Sequence, residues 1–316
     1  MTQTNISNTS ALIRPNDKGT AIDLLFRTTD FLNWCRAKGL VVENAGGLPH
    51  KWNLQTSGND SAEEFVEGQA IGLAGTPGYR EASITTPIYV RTIAQATGHV
   101  RDQQNRGGYY EDPVKRALDD ATIALYKAFD DKLLGSTVDA SLAAAVDSTT
   151  IHAGIDPGVV TEWASLETNV GGALTASVLE TMWLALKDAP RGADPDVILS
   201  GLTQRKRYCE LVGIGASGAR VVPRTELGQA IDLGVTGTAA VSFNGCGWDA
   251  IRGMTATELY MLDLVGGGFE VRMQRDLDVL PLAVTSDSQS WQLSLGYIVK
   301  VMNRRRHGKL TGLTSP

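Results

Sequence analysis

Few residues of this sequence have the types and the spacing that catalysis needs. The segment Gly213–Gly218 matches the GxGxxG pattern of dinucleotide-binding loops letter for letter. That pattern holds a pyrophosphate only when a strand precedes it and a helix N-terminus follows, because the backbone N–H groups of the helix start bind the phosphates. Here a predicted helix precedes it, and an extended segment reaching Pro223 follows. We therefore interpret it as a glycine loop.

Histidines give no sign of a metal site either. None of them is spaced from a Cys, an Asp or another His as metal ligands are. The four are His50, His99, His152 and His307. No nucleophile elbow, zinc-protease motif or phosphate-binding loop occurs. The sequence therefore predicts no catalytic residue, no metal ligand and no cofactor.

Two charged clusters are the remaining candidates for function. Glu63, Glu64 and Glu67 lie in a polar, glycine-bearing stretch, where no fixed burial would tune a carboxyl pKa for catalysis. We interpret them, with Asp60, as a charged contact surface. Three successive arginines, Arg304–Arg306, follow a long predicted strand. Such a run is a solvated chain end, a partner contact or a phosphate-binding patch, and the sequence leaves these alternatives open.

Composition excludes several classes of protein. The 316 residues are 42% hydrophobic and 20% charged, which is typical of a globular chain. No apolar run reaches the roughly 18 residues that span a bilayer. The formal net charge of −6 argues against a protein that binds nucleic acid over its whole surface. Cys35, Cys209 and Cys246 lie far apart, so we expect buried thiols of a reducing compartment.

One long helix is the strongest structural signal. Asp112 is a good N-cap and Pro113 suits the first helical position, where a missing N–H costs nothing. Apolar residues then recur at three- and four-residue steps as far as Leu134, and Gly135 stands where helices end. Some 22 residues would span roughly 33 Å. We expect Asp112–Leu134 to be a continuous helix that forms the spine of a domain.

A long two-stranded loop is predicted before this helix, over residues 48–93. One strand alternates around Trp52 and Leu54, and the other runs from Ser83 to Arg91. Pro87 lies inside the second strand and predicts that this strand lies at the edge of a sheet, because proline lacks the N–H that an inner strand needs. The polar stretch between the strands cannot form a core, so we expect it to protrude.

The rest of the chain predicts a mixed α+β architecture. Ser177 and Glu180 match a capping box that opens a helix. A short buried strand, Val197–Leu199, and another helix follow. Residues 257–276 resemble a hairpin with its turn at Gly266–Gly268, and residues 291–302 carry the clearest alternating strand.

This order of elements resembles the major capsid proteins of tailed bacteriophages, whose HK97-like fold also builds encapsulin shells. The residues that carry the resemblance are EEFVEGQ and ITTPIYVRTI around the loop, the helix from Asp112, DPDVILSG, and the closing ATELYMLDL, FEVRMQRDLDVL and WQLSLGYIVKVMNRR. The resemblance implies residues 1–40 as an N-terminal arm and 41–95 as the extended loop. It implies a peripheral domain of 96–145 and 276–316, with the spine helix 112–134, and an axial domain of 146–275.

The resemblance also implies a function. A capsid subunit self-assembles through hexamers and pentamers into an icosahedral shell that encloses packaged double-stranded DNA, held without sequence specificity. Portal and scaffolding or decoration proteins would be its other partners, with no membrane. The shell would assemble in the host bacterial cytoplasm and become the virion. Alternatives are an encapsulin-like compartment and a cytosolic α/β enzyme whose site is unrecognised.

Two departures from the family's pattern stand out. Some members carry a helical scaffolding segment of roughly 100 residues before the loop, whereas about 40 residues precede it here, so we expect no internal scaffold. Other members cross-link a loop-tip lysine to a neighbour's asparagine, and no lysine lies between Lys51 and Lys115.

Our hypothesis for the functional site is therefore a subunit interface rather than a cleft. It consists of aromatic, acidic and basic side chains from the loop and the C-terminal run: Trp52, Asp60, Glu63, Glu64, Glu67, Arg304, Arg305 and Arg306.

Overall fold

The computed structural model describes residues 30–43, 49–57, 78–85, 87–98, 113–135, 141–188, 191–211, 241–282 and 288–314. The chain divides into two compact units, each assembled from separate stretches. Unit 1 contains Met1–Gly46, Pro87–Gly135 and Val271–Ile298; unit 2 contains Gly47–Thr86, Ser136–Glu270 and Val299–Pro316. No helix in the described ranges is long and apolar enough to cross a membrane.

Unit 1 contains the predicted spine. After a short helix, α1 (Asp30–Ala37), the helix α2 runs without a break over Pro113–Gly135, which confirms the prediction for every residue of it that the structure describes. Its buried face repeats every four residues at Ala121, Leu125, Phe129 and Leu133. The rings of Phe129 and Tyr297 pack edge to face, with centroids 4.3 Å apart, so helix and sheet share one core.

A four-stranded sheet lies in unit 1, in the order β1-β10-β11-β4. These strands are β1 (Val41–Val42), β4 (Ile88–Thr97), β10 (Phe269–Pro281) and β11 (Ser288–Val301). The long closing strand is thus confirmed. β4 pairs antiparallel with β11 and forms the edge, as Pro87 at its start predicts.

Helix α1 is joined to α2 by one buried carboxylate. The backbone N–H groups of Phe31 and Leu32 donate to the two Asp130 oxygens at 3.2 and 2.7 Å. Asp130 thereby caps the first turn of α1 from a position about a hundred residues away in the chain. Burial raises the pKa of Asp130 to about 6, although these two hydrogen bonds lower it. The carboxylate is therefore held at a cost in free energy near neutral pH.

Unit 2 is built on a six-stranded sheet in the order β5-β12-β9-β6-β8-β7. Its strands are β5 (Leu166–Asn169), β6 (Val197–Ser200), β7 (Val241–Phe243), β8 (Cys246–Ala250), β9 (Leu259–Leu262) and β12 (Gly308–Thr311). All four residues of β6 are buried, which confirms the buried strand predicted at Val197–Leu199.

The described part of unit 2 also contains three α-helices: α3 (Leu142–Ala145), α4 (Ala176–Lys187) and α5 (Leu202–Leu211). Leu179, Met182 and Leu186 of α4 join the core of the six-stranded sheet. The cap of α4 is Thr175, whose hydroxyl accepts from Val178 N–H, so the capping box predicted at Ser177 is wrong by two residues.

The predicted hairpin over residues 257–276 is wrong. β9 lies between β12 and β6 and pairs antiparallel with both, so neither of its edges is open to β10. β10 instead takes its place between β1 and β11. The predicted turn does exist at Gly266–Gly268, and its glycines have a steric reason. A Cβ on Gly266 would meet the Arg306 guanidinium, and one on Gly267 would meet the His307 ring.

The predicted two-stranded loop is confirmed as an antiparallel pair, with a different second strand. β2 (His50–Ser57) pairs with β3 (Gly78–Ile84) and not with the strand after Pro87. Because proline lacks a donor N–H, the chain leaves one ladder before Pro87 and enters another after it. Residues 58–77, between the two strands, lie outside the described residues.

Candidate subunit interface

Trp52 fixes the first strand of the loop to the end of β11. Its indole N–H donates to the Met302 carbonyl at 3.3 Å. The Lys300 ammonium lies 5.2 Å from the centre of the indole and 3.9 Å from a Glu270 oxygen. Lys300 is almost wholly buried, so this cation–π contact is shielded from water. Trp52 is half-buried against its own chain, and a role for its exposed part at a neighbour stays a prediction.

The second strand of the loop is held by a tight turn. Ser83 N–H donates to the Ala153 carbonyl at 2.9 Å. Ala153 and Gly154 have φ values of 53° and 74°, as the central residues of a type I′ turn require. An alanine seldom adopts this conformation, and the sequence pattern gave no signal that this turn would hold the loop.

The three arginines of the C-terminal run have three different environments. They form a single 3-10 turn, Arg304–Arg306. The Arg304 side chain is fully buried and donates to the Thr150 carbonyl at 2.6 Å and the Ala144 carbonyl at 2.9 Å. Arg304 thus holds the end of α3 inside its own unit. The prediction that it meets a neighbouring subunit is not supported by this position, because no part of it reaches the surface.

Arg306 is paired with an acidic group of its own chain. Its Nε donates to Asp263 Oδ2 at 2.6 Å, and Asp263 is almost wholly buried. The other oxygen of Asp263 accepts from Gly266 N–H at 2.6 Å. The adjacent His307 is fully buried, and burial lowers the pKa of its imidazole to about 4. Arg306 therefore pairs with an acidic group inside its own subunit, and its role at an interface stays a prediction.

Arg305 is the remaining arginine, and it lines a groove of about 300 Å³. No hydrogen bond or ion pair of its guanidinium is found within the described residues, and the side chain is half-buried. Other segments contribute to the groove: Asn53, Leu54, Gln55, Thr56, Val160, Glu162, Trp163 and Asn303. Sequence reasoning missed this groove because its walls come from three distant stretches of chain.

Several predicted residues are not placed. Asp60, Glu63, Glu64 and Glu67 lie outside the described residues, as does the GxGxxG segment Gly213–Gly218. Within the described ranges, no group of three His, Cys, Asp or Glu residues is arranged to hold a metal ion. The cysteines are free; Cys35 and Cys246 are buried as predicted, and Cys209 is half-buried.

Comparison by sequence finds no relative. No family model matches the chain, and no curated protein matches it. Comparison by structure is informative over the whole length. The capsid asymmetric unit of cyanophage A-1(L) superimposes with a TM-score of 0.72 at 16% identity, covering 99% of this chain and 100% of that one.

Two further solved structures match nearly as completely. The capsid of the native GTA particle gives a TM-score of 0.63 at 12% identity and covers 96% of both chains. The SrpI encapsulin of Synechococcus elongatus gives 0.60 at 14% identity, covering 99% of this chain and 96% of that chain. At such low identity the likeness establishes architecture rather than activity. The chain has the α+β, HK97-like fold of phage capsid and encapsulin shell subunits.

Proposed function

We propose that this chain is the major capsid protein of a tailed bacteriophage. It assembles through hexamers and pentamers into an icosahedral shell around double-stranded DNA. The observation that carries the proposal is the end-to-end match with a cyanophage capsid subunit, in which each chain is covered almost completely. A match that spans both chains in this way supports the presence of a complete shell-subunit architecture in this chain.

The second candidate is an encapsulin-like compartment, because the SrpI encapsulin shares the same fold over 99% of this chain. The two functions differ in what the shell encloses. Particles purified after nuclease treatment should contain double-stranded DNA of defined length if the chain is a phage capsid. Particles that contain a single enzyme and no protected DNA would show that the chain forms an encapsulin-like compartment.

Location and further partners follow from the same proposal. The shell assembles in the host bacterial cytoplasm and ends in the virion, with portal and scaffolding or decoration proteins as partners. DNA is held without base readout, which suits a chain of net charge −6. The division into N-terminal arm, extended loop, peripheral domain and axial domain at the boundaries given above belongs to this proposal.

Assembly should depend on the acidic residues of the loop. Replacing Glu63, Glu64 and Glu67 with Gln should lower the yield of particles, because these carboxylates meet basic groups of neighbouring subunits. Each exposed pair contributes only ~0–1 kcal/mol. The loss therefore appears as a sum over the many subunits of a shell. Particle yield is measured by sedimentation at several salt concentrations.

The control for this experiment is the fold of the unassembled subunit. The triple variant should unfold at the same urea concentration as the wild type, because the side chains are expected to contact a neighbour and not their own unit. Unchanged yield and salt dependence would contradict the prediction, and loss of a measurable enzymatic activity with normal assembly would reverse the proposed function.

The shell should be held without covalent cross-links. A loop-tip cross-link needs a lysine amine against a neighbour's carboxamide, and residues 52–114 contain no lysine. Lys51, at the base of β2, is paired with Glu81 across the ladder at 2.7 Å. Particles boiled in detergent and reductant should give one band near 33.8 kDa on a denaturing gel. A ladder of multimers would show that another lysine takes part.

A further inference from the structure

The groove beside Arg305 follows the open edge of a strand. Four consecutive residues of β2, from Asn53 to Thr56, line it. Side chains of a regular strand alternate between two faces, and the β2 register is regular as far as Gln55. Three successive residues, Asn53, Leu54 and Gln55, therefore border one groove because the groove runs along the edge. β2 pairs with β3 on one side, and within the described residues no strand pairs with its other side. Every second residue therefore directs a backbone N–H and C=O towards this edge.

The positive charge in the groove lacks a counter-charge. Arg304 donates to two carbonyls and Arg306 pairs with Asp263, whereas the Arg305 guanidinium has no partner among the described residues. Arg191 lies behind it and donates to the Arg305 carbonyl at 2.9 Å. Burial, and then the charge of Arg305, lowers the pKa of Arg191. Glu162 also lines the groove, but it is exposed and forms no ion pair with Arg305 in the described structure.

The floor of the groove is apolar. Trp163 and Val160 are almost wholly buried, and Leu54 of β2 is half-buried. An apolar floor, a strand edge and an unpaired guanidinium together fit an extended peptide that carries carboxylates. Such a peptide would add to the edge through its main chain and place an acidic side chain on Arg305.

We infer that this groove binds an acidic segment of a second copy of the chain, added as a strand along the free edge of β2 with a carboxylate on Arg305. The inference rests on the proposed self-assembly. Charge complementarity selects the segment: residues 58–77 contain Asp60, Glu63, Glu64 and Glu67 and no lysine or arginine. The groove thus supplies the basic partner that the acidic loop needs at a neighbouring subunit.

A charge-reversal exchange tests this pairing. Arg305→Glu places a carboxylate against the incoming carboxylates, so the critical concentration for assembly should rise by roughly tenfold, which is about 1.4 kcal/mol per contact. Changing Glu63, Glu64 and Glu67 to Lys in the wild-type background should raise it similarly. Combining both sets of changes in one chain restores opposite charges and should return the critical concentration to within about threefold of wild type, or about 0.7 kcal/mol.

Lys127→Glu is the matched control. It makes the same change in net charge on an exposed turn of α2, away from the groove residues in sequence, and should leave the critical concentration unchanged. If Arg305→Glu assembles like this control, or if the combined variant assembles no better than its two parents, the groove does not bind the acidic segment. Wild-type chains that form no particles at any concentration would instead overturn the proposed function.

A disulfide exchange gives a second readout that does not depend on charge. Arg305→Cys with Glu64→Cys should form disulfide-linked multimers in assembled particles under oxidising conditions, because the two side chains meet between copies. Cross-linking equal to that of the Arg305→Cys chain alone would overturn the inference even if the charge exchange had succeeded.

Discussion

Replacing Arg304 with Ala should destabilise the subunit by about 3–5 kcal/mol. The side chain is fully buried, and its guanidinium holds two carbonyls, those of Thr150 and Ala144. Alanine leaves both acceptors without these donors and opens a cavity. A domain is stable by only about 5–15 kcal/mol, so much of the chain should fail to accumulate as folded subunit. The measurement is urea unfolding of the unassembled subunit.

Arg305→Ala is the control for that experiment. It removes the same side chain from the adjacent position, where the guanidinium has no described partner, and should change subunit stability by less than about 0.5 kcal/mol. Arg304→Lys should be intermediate, because an ammonium cannot present two donors in the fixed fork of a guanidinium. Equal stability of Arg304→Ala and Arg305→Ala would show that the hydrogen bonds of Arg304 to Thr150 and Ala144 do not stabilise the subunit.

Replacing Asp130 with Ala should cost about 1–3 kcal/mol at pH 7, because Phe31 and Leu32 lose the acceptor for their N–H groups. Helix α1, with its buried Phe31, Leu32 and Cys35, should then separate from α2. Asp131→Ala is the control, since Asp131 is the next residue of α2 and is exposed. If the two variants unfold at the same urea concentration, the Asp130 cap contributes nothing to the free energy of unfolding.

The effect of Asp130 should also depend on pH. Burial raises its pKa from 3.8 to about 6, and the charges of Asp131 and Asp30 act in the same direction. The folded state therefore binds the proton more tightly than the unfolded state between these values. The protonated Asp130 carboxyl contributes its full share to the free energy of unfolding below about pH 4. This contribution is lost as the pH rises through about 6. Asp130→Ala should consequently be more costly at pH 5 than at pH 7, and an equal cost at both would contradict the assignment.

The arginine run shows why the candidate site could be predicted only in part. In the sequence Arg304, Arg305 and Arg306 are equivalent, and the same alternatives apply to all three. A 3-10 helix has three residues per turn, so its successive side chains point in three directions about 120° apart. One side chain enters the core, one pairs with Asp263, and one borders the groove. Only the packing around the turn distinguishes them.

Elements set by local chemistry were predictable, and strand pairing was less so. Helix α2 was predicted almost to the residue. Its signals, which are the cap region, the proline and the apolar period, all depend on residues of one continuous segment. The hairpin over residues 257–276 failed because alternation and a glycine turn look alike whether two strands pair with each other or with distant ones. For the same reason, the predicted partner of β2 extended past Pro87, whereas its actual partner, β3, ends before Pro87.

The size of the purified protein tests the central claim most directly. Light scattering with negative-stain microscopy should show closed particles of megadalton mass, assembled from a chain of 33.8 kDa. A monomer or small oligomer at every protein and salt concentration, with full folded structure, would contradict the claim that this chain forms a shell.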